Sequence, residues 1–280
     1  MSTPLYISDL DGTLLRPDAT LSDYSRNELN RLIANGLHFT VATARSVASI
    51  RLLLQGLDLK LPVINLNGAL LSDLDSGRHH AIQAISPKIA ESVFEQIKTI
   101  GMLPFISTSN QGTDFLYYHR INNAGMQWYL DDRLNAGDSR LRQTADLSRT
   151  LVDSVVAFTV IDHRRALLRE LRDRLEERCP GSLQMYLFAN SYSEVGDTWL
   201  TIGDAQATKD QGIRLLLARG GYVLDNLTVF GDSDNDAEMF RLAPHAIATA
   251  NATKEIHTLA TETIGPNSED SVVSYLSEHC

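Results

Sequence analysis

The amino-acid sequence predicts an α/β protein with a doubly wound parallel sheet, into which a separate α+β domain is inserted. Short apolar segments alternate with amphipathic helical segments in the first 84 residues and again after residue 200. Such alternation is typical of a parallel sheet that helices cover on both faces. Between these regions, a helix followed by two alternating strands occurs twice, which indicates an antiparallel sheet. We therefore assign residues 1–84 and 201–280 to a Rossmann-like core and residues 85–200 to the inserted domain.

The first part of the core contains three strand signals separated by helix signals. Residues 5–9 form a short apolar strand that ends in an acid. A helix follows, with Ser22 as its N-cap and Gly36 as its stop. The segment LHFTVAT predicts a second strand, and SVASIRLLLQG predicts the next helix. The segment PVINLNGALL predicts a third strand that breaks at the turn dipeptide Asn67-Gly68.

The inserted domain begins with the predicted helix SPKIAESVFEQIKTIG, which precedes the paired strands LPFISTS and TDFLYYH. Residues 121–150 are predicted to begin as a helix and to continue as loops. The domain ends with the strand SVVAFTVID, the helix HRRALLRELRDRLEERC and the strands SLQMYLFAN and SEVGDTWLTI. The core then resumes with the helix TKDQGIRLLLARGG, the strand LTVFGD, the helix NDAEMFRLAP, the strand HAIATAN and the helices ATKEIHTLA and DSVVSYLSEH.

The composition argues against several classes of protein. The net charge is −10 and the isoelectric point is about 5.2, whereas nucleic-acid binders usually carry a basic stripe. We therefore expect no nucleic-acid partner. No apolar segment approaches the roughly 18 residues of a transmembrane helix, so no membrane partner is expected. Two cysteines form no disulfide framework, and without an export signal the protein is expected in the cytoplasm. The sequence indicates no oligomeric state.

Unusual polar residues follow the apolar strands of the core. Asp9 and Asp11 follow the first strand, and Thr43 and Arg45 follow the second. Two further positions lie after the inserted domain: Lys209 opens a helix, and Asp232 follows the strand LTVFGD. Because the working site of an open α/β sheet lies beyond the carboxyl ends of its strands, we expect these side chains to converge.

Such a group of side chains would suit a metal ion and a phosphoryl group. Carboxylates of Asp9, Asp11 and Asp232 would repel one another unless a cation lay between them. Oxygen ligands favour a hard divalent ion, and we expect Mg²⁺. Lys209 adds positive charge, the Thr43 hydroxyl is a donor, and a glycine at position 12 (Gly12) lets backbone N–H groups approach an anion.

Two other metal interpretations fail on the residues. The segment DSDND places acids at positions one, three and five of a calcium loop. The sixth position is Ala237, where the loop needs glycine, and the twelfth is Ala243, where it needs an acid. His79 and His80 follow a Ser-Gly-Arg sequence without a third ligand, so we predict that they belong to a surface turn.

The ordered set of motifs resembles the haloacid dehalogenase-like hydrolase superfamily, and within it the Cof-type subgroup, whose cap domain lies between the second and third motifs. DLDGTLL is similar to the first motif, ATAR to the second, TKDQG to the third and GDSDNDAEM to the fourth. The stretches NGA at 67–69, NAT at 251–253 and NSEDSV at 267–272 also match the subgroup. The resemblance implies that the inserted domain is a cap that determines substrate specificity.

The resemblance also implies roles for the core residues. Asp9 would be the nucleophile that forms an aspartyl-phosphate, and Asp11 would be the general acid and base. Thr43 would hold the phosphoryl group, and Lys209 would offset its charge. Asp232 would bind the metal together with Asp9 and the Asp11 backbone carbonyl. Asp236, together with Ser233 or Asn235, would orient this metal shell. The residues that would bind substrate are Gly12, Arg45, Asn67, Gly68 and Asn235.

The implied function is a magnesium-dependent phosphatase acting on a small phosphorylated metabolite, such as a sugar phosphate or a phosphorylated cofactor. A phosphomutase would share the phospho-aspartate step, so that alternative stays open. A non-catalytic regulatory protein is disfavoured because every catalytic position is filled. The subgroup usually has glycine where this chain has Ala44, which puts the role of Arg45 in question.

Overall fold

The computed structural model describes residues 3–189 and 196–280. The strands, in chain order, are β1 Leu5–Ser8, β2 His38–Val41, β3 Val63–Asn65, β4 Leu70–Ser72, β5 His79–Ile82, β6 Pro104–Asn110, β7 Thr113–Tyr118, β8 Leu141–Gln143, β9 Ser154–Asp162, β10 Leu183–Ala189, β11 Thr198–Asp204, β12 Leu227–Gly231, β13 His245–Ala248 and β14 Glu262–Thr263. The helices are α1 Asp23–Ala34, α2 Val47–Leu53, α3 Pro87–Thr99, α4 Ala124–Asn135, α5 Arg165–Arg178, α6 Lys209–Gly220, α7 Ala237–Leu242, α8 Lys254–Leu259 and α9 Ser271–His279. Within the described ranges, no helix has the length and apolar character needed to cross a membrane.

The chain divides into two compact units. Residues Met1–Ala81 and Thr208–Cys280 form one, here called the core unit, and residues Ile82–Ala207 form the other, here called the inserted unit. The predicted role of residues 85–200 as a specificity cap stays a prediction.

The core unit is built on a parallel sheet with the strand order β14-β13-β12-β1-β2. Strand β1 lies between β12 and β2, and Leu5 is in register with Leu227 on one side and His38 on the other. Apolar clusters cover both faces: α1, α2 and α9 contribute to one cluster, and α6, α7 and α8 contribute to the other. The predicted doubly wound parallel sheet is therefore confirmed.

The helix α1 shows why the local prediction succeeded. The Ser22 side chain accepts a hydrogen bond from the backbone N–H of Ser25, as an N-cap does. The buried stripe of α1 contains Leu29, Leu32 and Ile33, and these side chains pack against the sheet. The chain leaves the helix through Gly36 at φ +100°, a conformation that glycine adopts without strain.

Two predictions for residues 62–82 need correction. The apolar segment that was predicted as one strand with a break at Asn67-Gly68 forms two strands on either side of that turn, because the chain reverses at Leu66 and Asn67, whose φ angles are +49° and +56°. Strands β3 and β4 then pair antiparallel, and β5 joins them. The turn predicted at His79 and His80 is wrong, since both residues belong to β5. Outside residues 62–82, the short strand β14 was also not predicted.

The inserted unit contains a six-stranded sheet with the order β10-β11-β9-β6-β7-β8. Its pairs are antiparallel except β7 with β8, which run parallel. The predicted α+β architecture is confirmed. Residues 121–150 contain the helix α4 and the unpredicted strand β8. Parts of two predicted strands, at residue 190 and at residues 193–195, lie outside the described residues.

Candidate active site

The segment after β1 turns sharply and brings Asp9 into the interior. The backbone N–H of Asp9 donates to the carbonyl of Phe230 in β12, at 2.9 Å, so the residue continues the sheet. The next residues, Leu10–Leu14, form an irregular helical turn in which Gly12 has φ +77°. Asp9 is 4% exposed. A carboxylate this deeply buried needs a partner of opposite charge.

Lys209 supplies that partner from the first position of α6. Its side chain is fully buried, and its Nζ atom lies 2.8 Å from Asp9 Oδ1 and 2.6 Å from Asp236 Oδ1. The second oxygen of Asp236 accepts hydrogen bonds from the backbone N–H groups of Asp232 and Ser233, at 2.9 and 3.0 Å. Asp236 therefore connects the lysine to the loop that carries Asp232.

Three carboxylates gather at this point. One oxygen atom from each of Asp9, Asp232 and Asp236 lies within 4.8 Å of the other two. Asp232 also accepts a hydrogen bond from the Thr13 hydroxyl, at 2.9 Å. Gly12 packs directly against the same carboxylate, and a Cβ atom at position 12 would overlap it. We name these three acids together with Lys209 the acid cluster.

Burial and the closeness of like charges shift the pKa values of the acid cluster. Burial raises the pKa of Asp9 well above its ordinary value, and repulsion from the neighbouring carboxylates adds to the rise, while Lys209 opposes it. Burial and the charge of Asp236 raise the pKa of Asp232 to about 7. Burial alone would lower the pKa of Lys209, but attraction to Asp236 and Asp9 outweighs it, so that pKa is raised.

The donor set of the cluster suits a hard divalent cation. All three side chains offer carboxylate oxygens, which are the ligands that Mg²⁺ prefers. Because both oxygens of Asp236 already accept hydrogen bonds, Asp9 and Asp232 are the members placed to hold an ion. A cation there would also offset the mutual repulsion of the carboxylates.

Asp11 is not one of the three acids whose oxygen atoms meet in the acid cluster, although its charge acts on Asp9 and Asp232. Its carboxylate receives two hydrogen bonds from the Arg45 guanidinium, Nε to Oδ2 at 2.7 Å and Nη2 to Oδ1 at 2.6 Å. Both side chains are partly exposed. The sequence did not predict this pair. The predicted metal contact of Asp11 uses its backbone carbonyl and stays a prediction, as does the substrate contact of Arg45.

Thr43 and Asn67 belong to two loops that are joined to each other. Thr43 is buried, its hydroxyl accepts from the backbone N–H of Arg45 at 3.2 Å, and its carbonyl accepts from the N–H of Asn67 at 2.9 Å. Asn67 Oδ1 in turn accepts from Asn235 Nδ2 at 3.1 Å. The structure thus connects the predicted residues of the second strand, the Asn67 turn and the fourth motif.

Gly68 and Ser233 have local reasons for their identity. Gly68 has φ +99°, and a Cβ atom there would overlap the carbonyl oxygen of Thr208, directly before Lys209. Ser233 donates from its hydroxyl to Asn235 Oδ1 at 2.7 Å and forms a capping box with Asp236. These contacts shape the loops around the acid cluster; the predicted substrate-binding roles of Gly68 and Asn235 stay predictions.

Sequence reasoning missed a second layer of residues behind the site. Thr13 contacts Asp232, while Thr249, Asn251 and Asn267 contact carbonyl groups of the turn after β1. The available signal was weak: the stretches at 251–253 and 267–272 are similar to the subgroup, but the resemblance implies no role for them.

The fold and the acid cluster together define an α/β protein with a buried site of three carboxylates and one lysine. The chain belongs to the haloacid dehalogenase-like hydrolase family, whose model matches residues 6–276. The predicted family resemblance is thereby confirmed.

Two curated relatives extend over nearly the whole chain. The 5-amino-6-(5-phospho-D-ribitylamino)uracil phosphatase YitU of Bacillus subtilis is 26% identical over 97% of this chain and 95% of its own. The pyridoxal phosphate phosphatase YbhA of Escherichia coli is 26% identical over 100% of this chain and 99% of its own. A haloacid dehalogenase-like hydrolase from Bacteroides thetaiotaomicron shares the fold, with a TM-score of 0.81, 18% identity and coverage of 99% and 100% of the two chains. These relatives place the chain among the phosphatases of the family.

Proposed function

We propose that this chain is a Mg²⁺-dependent phosphatase that hydrolyses phosphate monoesters of small metabolites through an aspartyl-phosphate. The observation that supports it most directly is the acid cluster, in which a buried lysine and three carboxylates meet at the carboxyl ends of β1 and β12. A phosphate ester needs positive charge to approach a carboxylate nucleophile, and both Lys209 and a bound cation would provide it.

In the proposed first step, a carboxylate oxygen of Asp9 attacks phosphorus while the bond to the ester oxygen breaks. The ester oxygen leaves with a proton from Asp11. Lys209 keeps its ion pair with Asp9 and holds the Asp9 carboxylate in a fixed orientation. Mg²⁺, when held by Asp9 and Asp232, would neutralise charge on the phosphoryl oxygens.

In the second step, water attacks the phosphorus of the aspartyl-phosphate and passes a proton to Asp11. The products are inorganic phosphate and the regenerated Asp9 carboxylate. Arg45 donates two hydrogen bonds to the Asp11 carboxylate, so the guanidinium orients the carboxylate that accepts the proton from water in this step. Thr43, whose hydroxyl faces the backbone of the same loop, is proposed to contact the phosphoryl group.

The proposed substrate class follows from the relatives. The names of YitU and YbhA each specify a phosphorylated compound with a nitrogen-containing ring. We propose phosphorylated cofactors or their precursors as the first compounds to assay, with sugar phosphates as the second. The assignment of the inserted unit to substrate selection, and a cytoplasmic location, belong to the same proposal.

A pair of matched variants tests the nucleophile. The chain is stripped of metal with a chelator and assayed with p-nitrophenyl phosphate, with and without added Mg²⁺. Asp9→Asn should abolish Mg²⁺-dependent release of phosphate, because the amide is a poor nucleophile and a neutral ligand. Asp234→Asn is the control: it removes the same charge in the same region, but Asp234 is exposed and outside the acid cluster.

Three results would count against the proposal. Full activity of Asp9→Asn would exclude the nucleophile, and equal activity with and without Mg²⁺ would exclude the metal requirement. Transfer of phosphate to a second hydroxyl, with little free phosphate, would favour the phosphomutase alternative.

A further inference from the structure

The turn that carries Asp11 is held in place by side chains from a distant part of the chain. Asn251 Nδ2 donates to the carbonyl oxygen of Gly12 at 2.8 Å, and the Thr249 hydroxyl donates more weakly to the same oxygen, at 3.3 Å. Asn267 Nδ2 donates to the carbonyl oxygen of Leu15 at 2.8 Å. Two of these contacts therefore hold the carbonyl of the residue directly after Asp11, and the third holds the carbonyl of the residue that follows the turn.

The two asparagines are connected to each other. The backbone N–H of Asn267 donates to Asn251 Oδ1 at 2.9 Å, so each end of the Asn251 amide is used. Asn267 is 6% exposed, while Asn251 is exposed. We name Asn251 and Asn267 the asparagine clamp.

The loop that bears Asn251 also holds the other side of the site. The backbone N–H of Thr253 donates to the carbonyl oxygen of Asp232 at 2.8 Å. Residues 249–253 thus bind a carbonyl in the Asp11 turn and a carbonyl in the Asp232 loop at once. The loop therefore connects the Asp11 turn to the Asp232 loop in space. These two segments are distant in sequence, since Thr13 and Asp232, which are in contact, are 219 residues apart.

The turn has a physical need for such support. Asp11 and Gly12 have non-helical backbone angles inside the irregular turn, so its carbonyls are not all used by regular helical bonds. A carbonyl that is held by a directed side-chain donor loses freedom to rotate with its peptide plane. The Gly12 carbonyl belongs to the second peptide group after the Cα atom of Asp11. The orientation of that peptide group therefore affects where the Asp11 carboxylate points.

We propose that Asn251 and Asn267 are positioning residues, which place Asp11 for proton transfer to the leaving group. This inference rests on the proposed function. Misplacing a general acid by about 1 Å can cost on the order of 100-fold in rate, so loss of one clamp bond is expected to cost about 10- to 100-fold where protonation is needed.

The leaving group distinguishes positioning of Asp11 from a general structural role. β-Glycerol phosphate releases an alkoxide, which needs a proton, whereas p-nitrophenyl phosphate releases a stable phenolate. The ratio kcat/KM reports steps up to bond cleavage. For Asn251→Ala, we expect kcat/KM to fall about 10- to 100-fold with β-glycerol phosphate but to stay within about threefold with p-nitrophenyl phosphate.

Asn30 offers a closely matched control. Its Nδ2 donates to the carbonyl of Gly56 at 2.8 Å and its Oδ1 accepts from the N–H of Asp58 at 2.8 Å. Asn30→Ala therefore loses the same two kinds of hydrogen bond in the same unit, away from the acid cluster, and should leave both kcat/KM values unchanged. Asn267→Ala should show the leaving-group effect together with lower stability, because Asn267 is buried.

Amide hydrogen exchange provides a readout that does not depend on activity. In Asn251→Ala, the amides of Leu14 and Leu15, which close the turn by bonds to Asp9 and Leu10, should exchange faster than in the wild type and in Asn30→Ala. Unchanged exchange would overturn the clamp. Equal loss of kcat/KM with both esters would overturn its link to Asp11. An inactive wild type with faster exchange in Asn251→Ala would instead refute the proposed function and leave the clamp standing.

Discussion

Replacing Lys209 by methionine tests the physical basis of the acid cluster. The lysine is fully buried, and its Nζ atom bonds to Asp9 and Asp236 at 2.8 and 2.6 Å. Methionine has a similar length and keeps the packing of the side chain, but it removes the charge. Two buried carboxylates then lose their ammonium partner, and breaking a buried ion pair in this way typically costs about 3–5 kcal/mol.

The size of the effect depends on which charges remain. The backbone N–H groups of Asp232 and Ser233 still stabilise Asp236 in the variant, whereas no other residue that the structure describes donates to the Asp9 carboxylate. We therefore expect Lys209→Met to lower the free energy of unfolding by about 3 kcal/mol, the lower end of that range. Adding Asp236→Asn should restore part of the loss, because it removes one of the unpaired charges.

The assay is urea unfolding monitored by two probes. Circular dichroism reports the helices and strands of both units, whereas tryptophan fluorescence reports the inserted unit alone, because Trp128 and Trp199 are the two tryptophans of the chain. The transition seen by circular dichroism should move to lower urea in Lys209→Met more than the fluorescence transition does. Added Mg²⁺ should reduce the difference, since a cation also compensates the carboxylates.

The reasoning would be refuted by a Lys209→Met protein whose free energy of unfolding lies within about 1 kcal/mol of the wild type, because the expected loss is several times larger. It would also be refuted if the double variant with Asp236→Asn were less stable than the single variant. Either result would mean that the buried carboxylates do not depend on the lysine.

Three further variants test the core unit. Gly12→Ala should weaken Mg²⁺ binding, measured by calorimetry, because the new Cβ atom would displace the Asp232 carboxylate. Gly36→Ala is the control, because Gly36 also has a positive φ but its Cβ atom would meet no neighbouring atom within 4 Å. This control should cost only about 1 kcal/mol of backbone strain and leave Mg²⁺ binding unchanged. Burial would raise the pKa of Asp270, but the two hydrogen bonds from the Arg16 guanidinium help to outweigh it, so the pKa is lowered. A carboxyl whose folded-state pKa is depressed stabilises the fold above its unfolded pKa, and the contribution is lost as the pH falls through the folded pKa. Asp270→Asn, which keeps a residue type suited to φ +55°, should therefore reduce stability near pH 7 and flatten its decline in acid; an unchanged pH profile of urea unfolding would contradict this.

The sequence predicted the elements whose signals are local. Ser22 caps α1, and Gly36 ends it, because capping and left-handed backbone angles involve only neighbouring residues. The parallel core sheet and the separate antiparallel sheet were likewise predicted from the order of strands and helices. The strands β5, β8 and β14 had no clear signal, since short strands are stabilised mainly by the partner they pair with.

The sequence by itself determined which chemistry the site can hold: acids and a threonine at strand ends and a lysine at a helix start, in an order that resembles one family. Only the tertiary structure decided which of those groups pair with each other. Asp9 and Asp11 are two residues apart, yet Asp9 is paired with Lys209 in the interior and Asp11 with Arg45 nearer the surface. The asparagine clamp is likewise a contact between segments 239 residues apart for Asn251 and Gly12. Residue type limits the charges and hydrogen bonds available, but burial and long-range contacts select which of them form.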